Sequence, residues 1–188
     1  MEVASGTITR VRFLVTQRVR SDVRRARPGL IVGATVFVLA AASAWGQSAR
    51  GSIVYATKGG ERIVSPRYAY LVSGPDAVSG KPIRRVVLSV ADLGATLRGC
   101  DTMNCADGNL REGMTIDFDA GPRLNFWLVA DGQRVQYSGT AEPASLVLGT
   151  NTPQKLSGRW NLDARAAGGP RIDIEFDAPL AKEVQRAR

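Results

Sequence analysis

The heptapeptide RIDIEFD (residues 171–177) decides the fold class, because its apolar and acidic side chains alternate without a break. Successive side chains of a β-strand point to opposite faces, so this run predicts a strand with one buried and one solvated face. The octapeptide KLSGRWNL (residues 155–162) precedes it across the turn residues 168–170. The two runs therefore predict an antiparallel pair of strands, with Trp160 on the core side.

The same period of two recurs in short runs through the rest of the chain after residue 46. These runs occupy residues 52–57, 67–72, 83–90, 114–119, 124–129, 134–138 and 145–149. Asp131-Gly132 between two of them is typical of a tight β-hairpin turn. Long helices do not alternate with the strands, so the sequence predicts an all-β, antiparallel β-sandwich, with a small β-barrel as the alternative.

A few segments are expected to depart from the strand pattern. Residues 91–97 predict one short helix that ends at Gly99, just before a cysteine loop. Pro179 is expected to stop the sheet, and residues 180–184 to form one helical turn. The terminal residues 185–188 are expected to be a solvated tail.

The first 46 residues predict export from the cytoplasm. Seven arginines between residues 10 and 27 precede an uncharged apolar run that begins at Leu30 and closes on small residues. This order is typical of a secretory signal peptide, with cleavage after Ala44 or Gly46. Residues 47–188 would then form a single domain that is periplasmic or secreted. In the alternative, residues 30–46 stay uncleaved as an inner-membrane anchor, although the apolar run is shorter than the roughly 20 residues of a membrane-spanning helix.

The basic balance of the chain belongs mostly to this leader. The whole chain has 25 basic and 17 acidic residues, of which the first 46 residues hold seven and two. The remaining 18 basic and 15 acidic residues leave a charge of only +3. The composition therefore gives no support for nucleic-acid binding, and contact with a membrane is expected only if the leader is not cleaved.

The absence of histidine narrows the chemistry that the chain can perform. It excludes Ser-His-Asp and Cys-His hydrolases, histidine-bound zinc and histidine general bases. A carboxylate pair, a Ser-Lys dyad or an oxygen-ligand calcium site remain open, but the sequence gives no positive sign of any of them. We therefore expect a protein that is not an enzyme and that uses no cofactor.

Two cysteines, Cys100 and Cys105, are the only ones in the chain. A close and even pair in an exported chain predicts a disulfide. The spacing of four intervening residues differs from the Cys-x-x-Cys of redox-active sites. We therefore expect the bond to pin a polar loop locally.

The loop around the cysteines also carries oxygen groups, on Asp101, Asn104, Asp107 and Asn109. Calcium prefers such ligands, but the spacing does not follow the calcium-loop pattern, in which alternate positions carry them. No metal site is therefore predicted, and the side chains are expected to bond nearby backbone amides in Asx-turns.

Acidic residues on single strand faces offer a second chemical interpretation. Asp117 and Asp119 share one face, as do the three acids of residues 171–177. Paired carboxylates could act as acid and base in a hydrolase. The simpler interpretation is that they are the outward residues of half-buried strands, kept apart or met by arginines. Arg84 and Arg85 are likewise expected to form a solvated edge.

Trp127 is out of phase with the apolar residues around it, so its ring is predicted to lie on the face opposite the core. An exposed tryptophan marks a candidate surface for a partner or a glycan, although in a sandwich such a ring is more often covered by a loop. Trp127, Asp101 and Asp107 are accordingly the candidate binding residues.

Three stretches resemble a group of uncharacterised exported bacterial β-sandwich proteins. They are CDTMNCADGNL (residues 100–110), the pair LSG (156–158) with GGP (168–170), and IDIEFDAPL (172–180). The resemblance implies an exported β-domain of bacterial origin and carries no activity or functional residue with it.

The function expected from these observations is a non-catalytic binding or structural module of the bacterial cell envelope. Its partner is not specified by the sequence and could be another envelope protein or a polymer. The first alternative is a carrier of a small apolar ligand, which an open interior lined by Phe118, Phe126 and Tyr137 would favour. The second is a carboxylate-dependent hydrolase, which two carboxylates in one cleft would favour.

Overall fold

The computed structural model describes residues 48–131 and 133–188. For residues 133–138 it describes the backbone only. The predicted leader, residues 1–46, lies outside the described residues, as do Gly132 and the side chain of Tyr137. Strands make up most of the described chain. They are β1 (Ser48–Thr57), β2 (Gly60–Val64), β3 (Tyr68–Pro75), β4 (Pro82–Ser89), β5 (Gly113–Phe118), β6 (Leu124–Ala130), β7 (Gln133–Ala141), β8 (Leu146–Thr152), β9 (Lys155–Asp163) and β10 (Arg171–Glu183).

The period-two runs of the sequence are strands in the structure, and this confirms the all-β prediction. β9 and β10 pair as predicted, in a register that places Trp160 opposite Ile174, and β6 pairs with β7 across the Asp131 turn. Asp131 has a φ of 53°, which suits such a turn. The strand β2 was not predicted, because four of its five residues are exposed and it lacks an apolar alternation.

The strands form one curled sheet, a half-barrel, in which β10 is central. The first part of β10 lies between β1 and β9 and pairs antiparallel with both. Its last part pairs with β3 in parallel, from Leu180 to Glu183. The prediction of a purely antiparallel sheet is therefore wrong at this one pairing, which joins strands that are distant in sequence.

Pro179 does not stop the sheet, and residues 180–184 are not a helical turn. The ladder of β10 with β1 ends at Asp177, and the ladder with β3 begins at Leu180. Pro179 lies between the two ladders, where its missing N–H group leaves no hydrogen bond unmade. The strand can therefore continue through the proline and change its partner there.

The main core fills the concave side of the curled sheet. Phe126 of β6 meets Trp160 of β9 edge to face, with ring centroids 5.2 Å apart. Both side chains are almost completely buried, and the indole Nε1 of Trp160 donates to Ser145 Oγ at 3.0 Å. Trp160 is thus a core residue, as predicted.

Two short helices, not one, cover the opposite face of β3 to β6. The helix α1 spans Gly94–Arg98 and ends at Gly99 as predicted, and α2 spans Met103–Asn109. Tyr70 holds the segment before α1, because its hydroxyl donates to Asp92 at 2.6 Å and accepts the N–H of Leu93 at 2.8 Å. A second cluster of buried residues lies under the helices: Tyr70, Val72, Ile83, Val87, Leu93, Leu97, Cys100, Met103, Ala106, Leu110, Val129 and Val184.

The C-terminal residues are tied to α2 and are not simply a solvated tail. The backbone N–H groups of Met103 and Asn104 donate to the carbonyl oxygens of Arg186 and Ala187, at 3.1 and 3.2 Å. The first N–H groups of a helix have no partner inside it. The tail therefore satisfies two donors that α2 itself leaves open.

Candidate functional site

Arg85 and Asp117 form a buried ion pair at the centre of the helix-covered face. They are direct cross-strand partners on β4 and β5. The guanidinium donates through Nε to Oδ1 at 2.5 Å and through Nη2 to Oδ2 at 2.7 Å. This two-point geometry is the strongest form of an arginine–carboxylate contact.

The prediction that Arg85 and Asp117 are solvated is wrong. Their side chains are only 9% and 3% exposed. The alternation along β5 is real, but α1 and α2 cover the face that was expected to be wet, and every residue of β5 is buried. The expectation that arginines meet the carboxylates is confirmed here and at Asp119, which Arg84 binds at 2.6 Å.

Asp107 binds the same guanidinium from the side of the helices. Both of its carboxylate oxygens lie 2.9 Å from Arg85 Nη1. Asp107 belongs to α2, which begins after Thr102, whose hydroxyl accepts the N–H of Cys105. The predicted Asx-turn loop is therefore a capped helix, and its aspartate fastens that helix to the sheet.

Trp127 completes this group, which we call the Arg85 cluster: Arg85, Asp107, Asp117 and Trp127. The ring is half-buried and lies on the face opposite the core, as its phase predicted. The guanidinium carbon of Arg85 lies 5.7 Å from the ring centroid, within the range of a cation–π contact. Asp101 is exposed and is not part of the cluster, so the structure brings together two of the three candidate binding residues.

Burial raises the pKa of Asp117, and the hydrogen bonds and charge of Arg85 oppose this shift. For Arg85, burial lowers the pKa, but the two aspartates more than offset it and the net direction is upward. The arginine stays charged, and the carboxylate of Asp117 is occupied by it. A carboxylate held in this way by a permanent cation is poorly placed to exchange protons with a substrate.

The disulfide between Cys100 and Cys105 is present, as predicted, and its Cα atoms are 5.6 Å apart. It links the end of α1 to α2 and so holds the two helices together over the sheet. The oxygen groups around it do not converge on one point, since Asp107 binds Arg85 and the amide of Asn109 donates to the carbonyl of Cys105. Among the described residues, no group of three or more acidic or cysteine side chains could hold a metal ion.

A broad groove of about 670 Å³ lies on the outward side of β1, β8, β9 and β10, and we call it the outer groove. Its charged row consists of Arg50, Glu175 and Arg159, which are cross-strand partners on β1, β10 and β9. Beside it runs a second row with Ser48, Asp177 and Ser157. The remaining lining residues are Val147, Gly149, Gly158 and Phe176.

The charges of the outer groove differ in how they are paired. Lys155 Nζ lies 2.9 Å from Asp177 Oδ1, and Arg159 Nη2 lies 3.3 Å from Asp173 Oδ1. Within the described chain, Arg50 and Glu175 form no ion pair and no side-chain hydrogen bond. Both are exposed, so the groove presents a cation and an anion side by side to whatever enters it.

A smaller recess of about 210 Å³ lies where the end of β5 and the starts of β6 and β8 come together. Phe118, Leu124 and Leu146 form part of its apolar lining, and Arg84 lies at its rim. Arg84 is engaged there, because Nη1 donates to Asn151 Oδ1 at 2.7 Å while its other nitrogens bind Asp119. The recess is smaller than the pockets of roughly 300–1,000 Å³ that enclose drug-sized ligands.

Sequence reasoning missed the outer groove, although it identified the strands that build it. The alternation of residues 171–177 places Glu175 on the outward face, and this is confirmed. The pairing of Glu175 with Arg50 joins residues that are far apart in the chain. No local signal specifies such a pairing, so the row of alternating charges could not be read in advance.

The predicted binding role of Trp127, Asp101 and Asp107 stays a prediction. No helix within residues 48–131 and 133–188 is both long and apolar enough to cross a membrane. No protein-family model, no curated protein and no solved structure matches this chain.

Proposed function

We propose that this protein is an exported, non-catalytic binding module of the bacterial cell envelope, and that it binds through the outer groove. The observation that carries the proposal is the pair Arg50 and Glu175, which face the groove without an internal partner. On β4, by contrast, the two arginines are both engaged, Arg84 with Asp119 and Arg85 with Asp117. Charged groups left open in a groove are the ones that an external ligand can use.

The packing of the core favours a binding module over a carrier of an apolar ligand. Phe118 and Phe126, which would line an open interior, are 5% and 1% exposed and belong to the core. The contact of Phe126 with Trp160 brings the two arms of the curled sheet together, which supports the sandwich over a barrel with a ligand cavity.

The placement of the carboxylates favours a binding module over a hydrolase. Asp107 and Asp117 share one guanidinium, and Asp119 is bound by Arg84. A general acid or base needs a carboxylate that can reach a substrate and exchange its proton. These three carboxylates are instead used to hold α2 and the strands in place.

The outer groove is lined by two carboxylates, those of Glu175 and Asp177. Lys155 Nζ lies 2.9 Å from Asp177 Oδ1, so only Glu175 is left without an ion pair there. A single open carboxylate does not supply both the acid and the base that a hydrolase of this kind needs.

Export is part of the proposal and rests on the predicted leader and the disulfide. Disulfides persist in oxidising compartments such as the periplasm and are rare in the cytosol. The bond between Cys100 and Cys105 therefore supports a periplasmic or secreted domain.

Cosedimentation with isolated cell-envelope material tests the proposed function. The protein purified from the native periplasmic or secreted fraction should sediment with the envelope material, and Arg50→Gln should reduce the bound fraction. Arg111→Gln is the matched control, because Arg111 is also exposed but lies between α2 and β5, away from the groove residues. Equal binding by the wild type and Arg50→Gln, or no sedimentation at all, would contradict the proposal.

A further inference from the structure

We infer that the outer groove binds a linear acidic polysaccharide in which carboxylated sugars alternate with neutral ones. The inference rests on the proposed function, because it names the ligand class for the same site. It comes from the order of charges across the sheet, which runs cation, anion, cation from β1 through β10 to β9.

The spacing of the two cations sets the spacing of the ligand's anionic groups. Arg50 and Arg159 are both register partners of Glu175, one on each side of it. Neighbouring strands lie about 4.8 Å apart, so the Cα atoms of the two arginines are roughly 10 Å from each other. A chain lying across the strands would meet one guanidinium at each end of that distance and the carboxylate of Glu175 in the middle.

Both guanidinium groups are available to such a chain. Arg50 has no partner among the described residues, and Arg159 has only the 3.3 Å contact with Asp173 while its side chain is 66% exposed. A guanidinium presents parallel donors that match the two oxygens of a carboxylate. The exposed contact of Arg159 contributes little to stability, so exchanging it for a ligand carboxylate costs little.

Glu175 gives the groove its selectivity. An anionic group placed opposite its carboxylate would be repelled, whereas the hydroxyl groups of a neutral sugar could donate hydrogen bonds to it. The row therefore favours a polymer with a neutral unit between two acidic ones. It disfavours a polymer that carries a charge on every unit.

The floor of the groove suits a polar chain better than a protein partner. The floor is formed by small residues, among them Ser48, Ser157 and Gly149. At Gly158 the neighbouring strand β8 comes so close that an added Cβ would lie 2.5 Å from the carbonyl oxygen of Val147. Protein interfaces depend on aromatic or arginine anchors seated in desolvated pockets, whereas the two arginines of this groove, Arg50 and Arg159, are exposed. The groove has no exposed aromatic side chain among its described lining residues, and Phe176 is buried beneath it.

Titration calorimetry at low salt with three polysaccharides tests the inference. Hyaluronan oligosaccharides carry a carboxylate on every second sugar, polygalacturonate oligosaccharides on every sugar, and dextran on none. The exported protein should bind hyaluronan best and dextran not measurably. Arg50→Gln should weaken hyaluronan binding about tenfold, the loss of one charge-assisted contact, whereas Arg111→Gln should leave it unchanged.

Glu175→Gln provides the sharper arm of the test. It should raise the affinity for polygalacturonate towards that for hyaluronan, because it removes the repelling charge but keeps an oxygen that accepts hydrogen bonds. A preference for polygalacturonate in the wild type, or the same loss in Arg50→Gln and Arg111→Gln, would overturn the inference.

The outcome also separates this inference from the function on which it rests. If the protein sediments with envelope material in an Arg50-dependent way but binds no acidic polysaccharide, the ligand class is wrong and the binding function stands. A protein ligand recovered in that case would replace the polysaccharide. If neither sedimentation nor polysaccharide binding is seen, both proposals fail.

Discussion

At the scale of single residues, Arg85 is the organising side chain of the helix-covered face. It binds Asp117 from the neighbouring strand and Asp107 from α2, and it lies against the ring of Trp127. Breaking a buried ion pair is costly chiefly because one charge is left without a partner, not because the pair itself is strongly stabilising. The consequences of substitution therefore depend on which partners remain.

Arg85→Met should lower the free energy of unfolding by about 3–5 kcal/mol, because it leaves Asp117 charged and buried. Adding Asp117→Leu to the same chain should recover a large part of the loss. Arg111→Met, an exposed control, should change stability by no more than about 0.5 kcal/mol. Urea unfolding of the three variants measures these differences, and an Arg85→Met loss as small as that of the control would refute the role given to Arg85.

Asp163, at the end of β9, should contribute to the acid sensitivity of the domain. The hydrogen bonds of Arg165 lower the pKa of Asp163 to about 2. A carboxyl whose pKa is depressed by folding stabilises the protein above its unfolded pKa of about 4 and loses that contribution as the pH falls towards 2. The melting temperature of Asp163→Asn should thus be below that of the wild type at pH 6, and the gap should shrink between pH 4 and 2.

The matched variant is Arg165→Gln, which removes the donor and leaves the carboxyl in place. The difference in melting temperature between the wild type and Arg165→Gln should likewise shrink between pH 4 and 2. Because both side chains are exposed, added salt should diminish the effect. A difference in melting temperature that stays constant from pH 6 to pH 2 would contradict the role of Asp163 in acid sensitivity.

At the scale of elements, the β9–β10 hairpin is the clearest agreement between sequence and structure. Phe176 is 2% exposed, while Glu175 beside it faces solvent. The same strand also carries residues of the outer groove, so one face of β10 supports the core and the other is open to a ligand. Substitutions on the two faces should therefore have separable effects.

Phe176→Ala should cost about 3–5 kcal/mol of stability, through the cavity left in the core. Glu175→Ala should change stability by no more than about 0.5 kcal/mol, as is usual for a surface position. Denaturant unfolding of the two variants decides the matter. If Glu175→Ala proved the more damaging, its carboxylate would have a structural role that the open groove does not account for.

Replacing Cys100 and Cys105 by serine should lower stability by about 2 kcal/mol or less and leave the fold intact. The loop that the disulfide closes is short, so the bond restricts the unfolded chain only a little. Helix α2 is also held by Asp107 and by the carbonyl groups of the C-terminal residues. Circular dichroism and urea unfolding measure the effect; loss of the folded sheet would show that the disulfide is the main support of α2.

The elements that the sequence could predict are those whose partners are close in the chain. The β9–β10 and β6–β7 hairpins follow from local alternation and turn residues. The parallel pairing of β10 with β3 and the burial of Asp117 depend on contacts between distant segments. The candidate site divides in the same way: Glu175 could be placed on an outward face, but not beside Arg50.

At the scale of the whole molecule, the proposed processing of the leader leaves the described strands intact. The first strand starts at Ser48, two residues beyond Gly46. Cleavage after Ala44 or Gly46 would therefore remove no strand and no core residue of the described domain.

Mass spectrometry of the protein from its native host should find an N-terminus near Trp45 or Gln47. The expected fraction is periplasmic or secreted, because the sequence of residues 1–46 predicts export. A membrane-bound chain that keeps residues 30–46 would favour the uncleaved anchor. An intact N-terminus in the cytoplasmic fraction would rule out both forms of export.

The central place of β10 also has a consequence for the order in which the chain can fold. It is the last of the described strands in sequence, yet β1, β3 and β9 all pair with it. During synthesis at about 5–20 residues per second, the earlier strands emerge without the strand that joins them. The sheet can therefore close only when residue 183 is available, so the hairpins β1–β2 and β8–β9 join the β3–β7 strands only after the last described strand has been made.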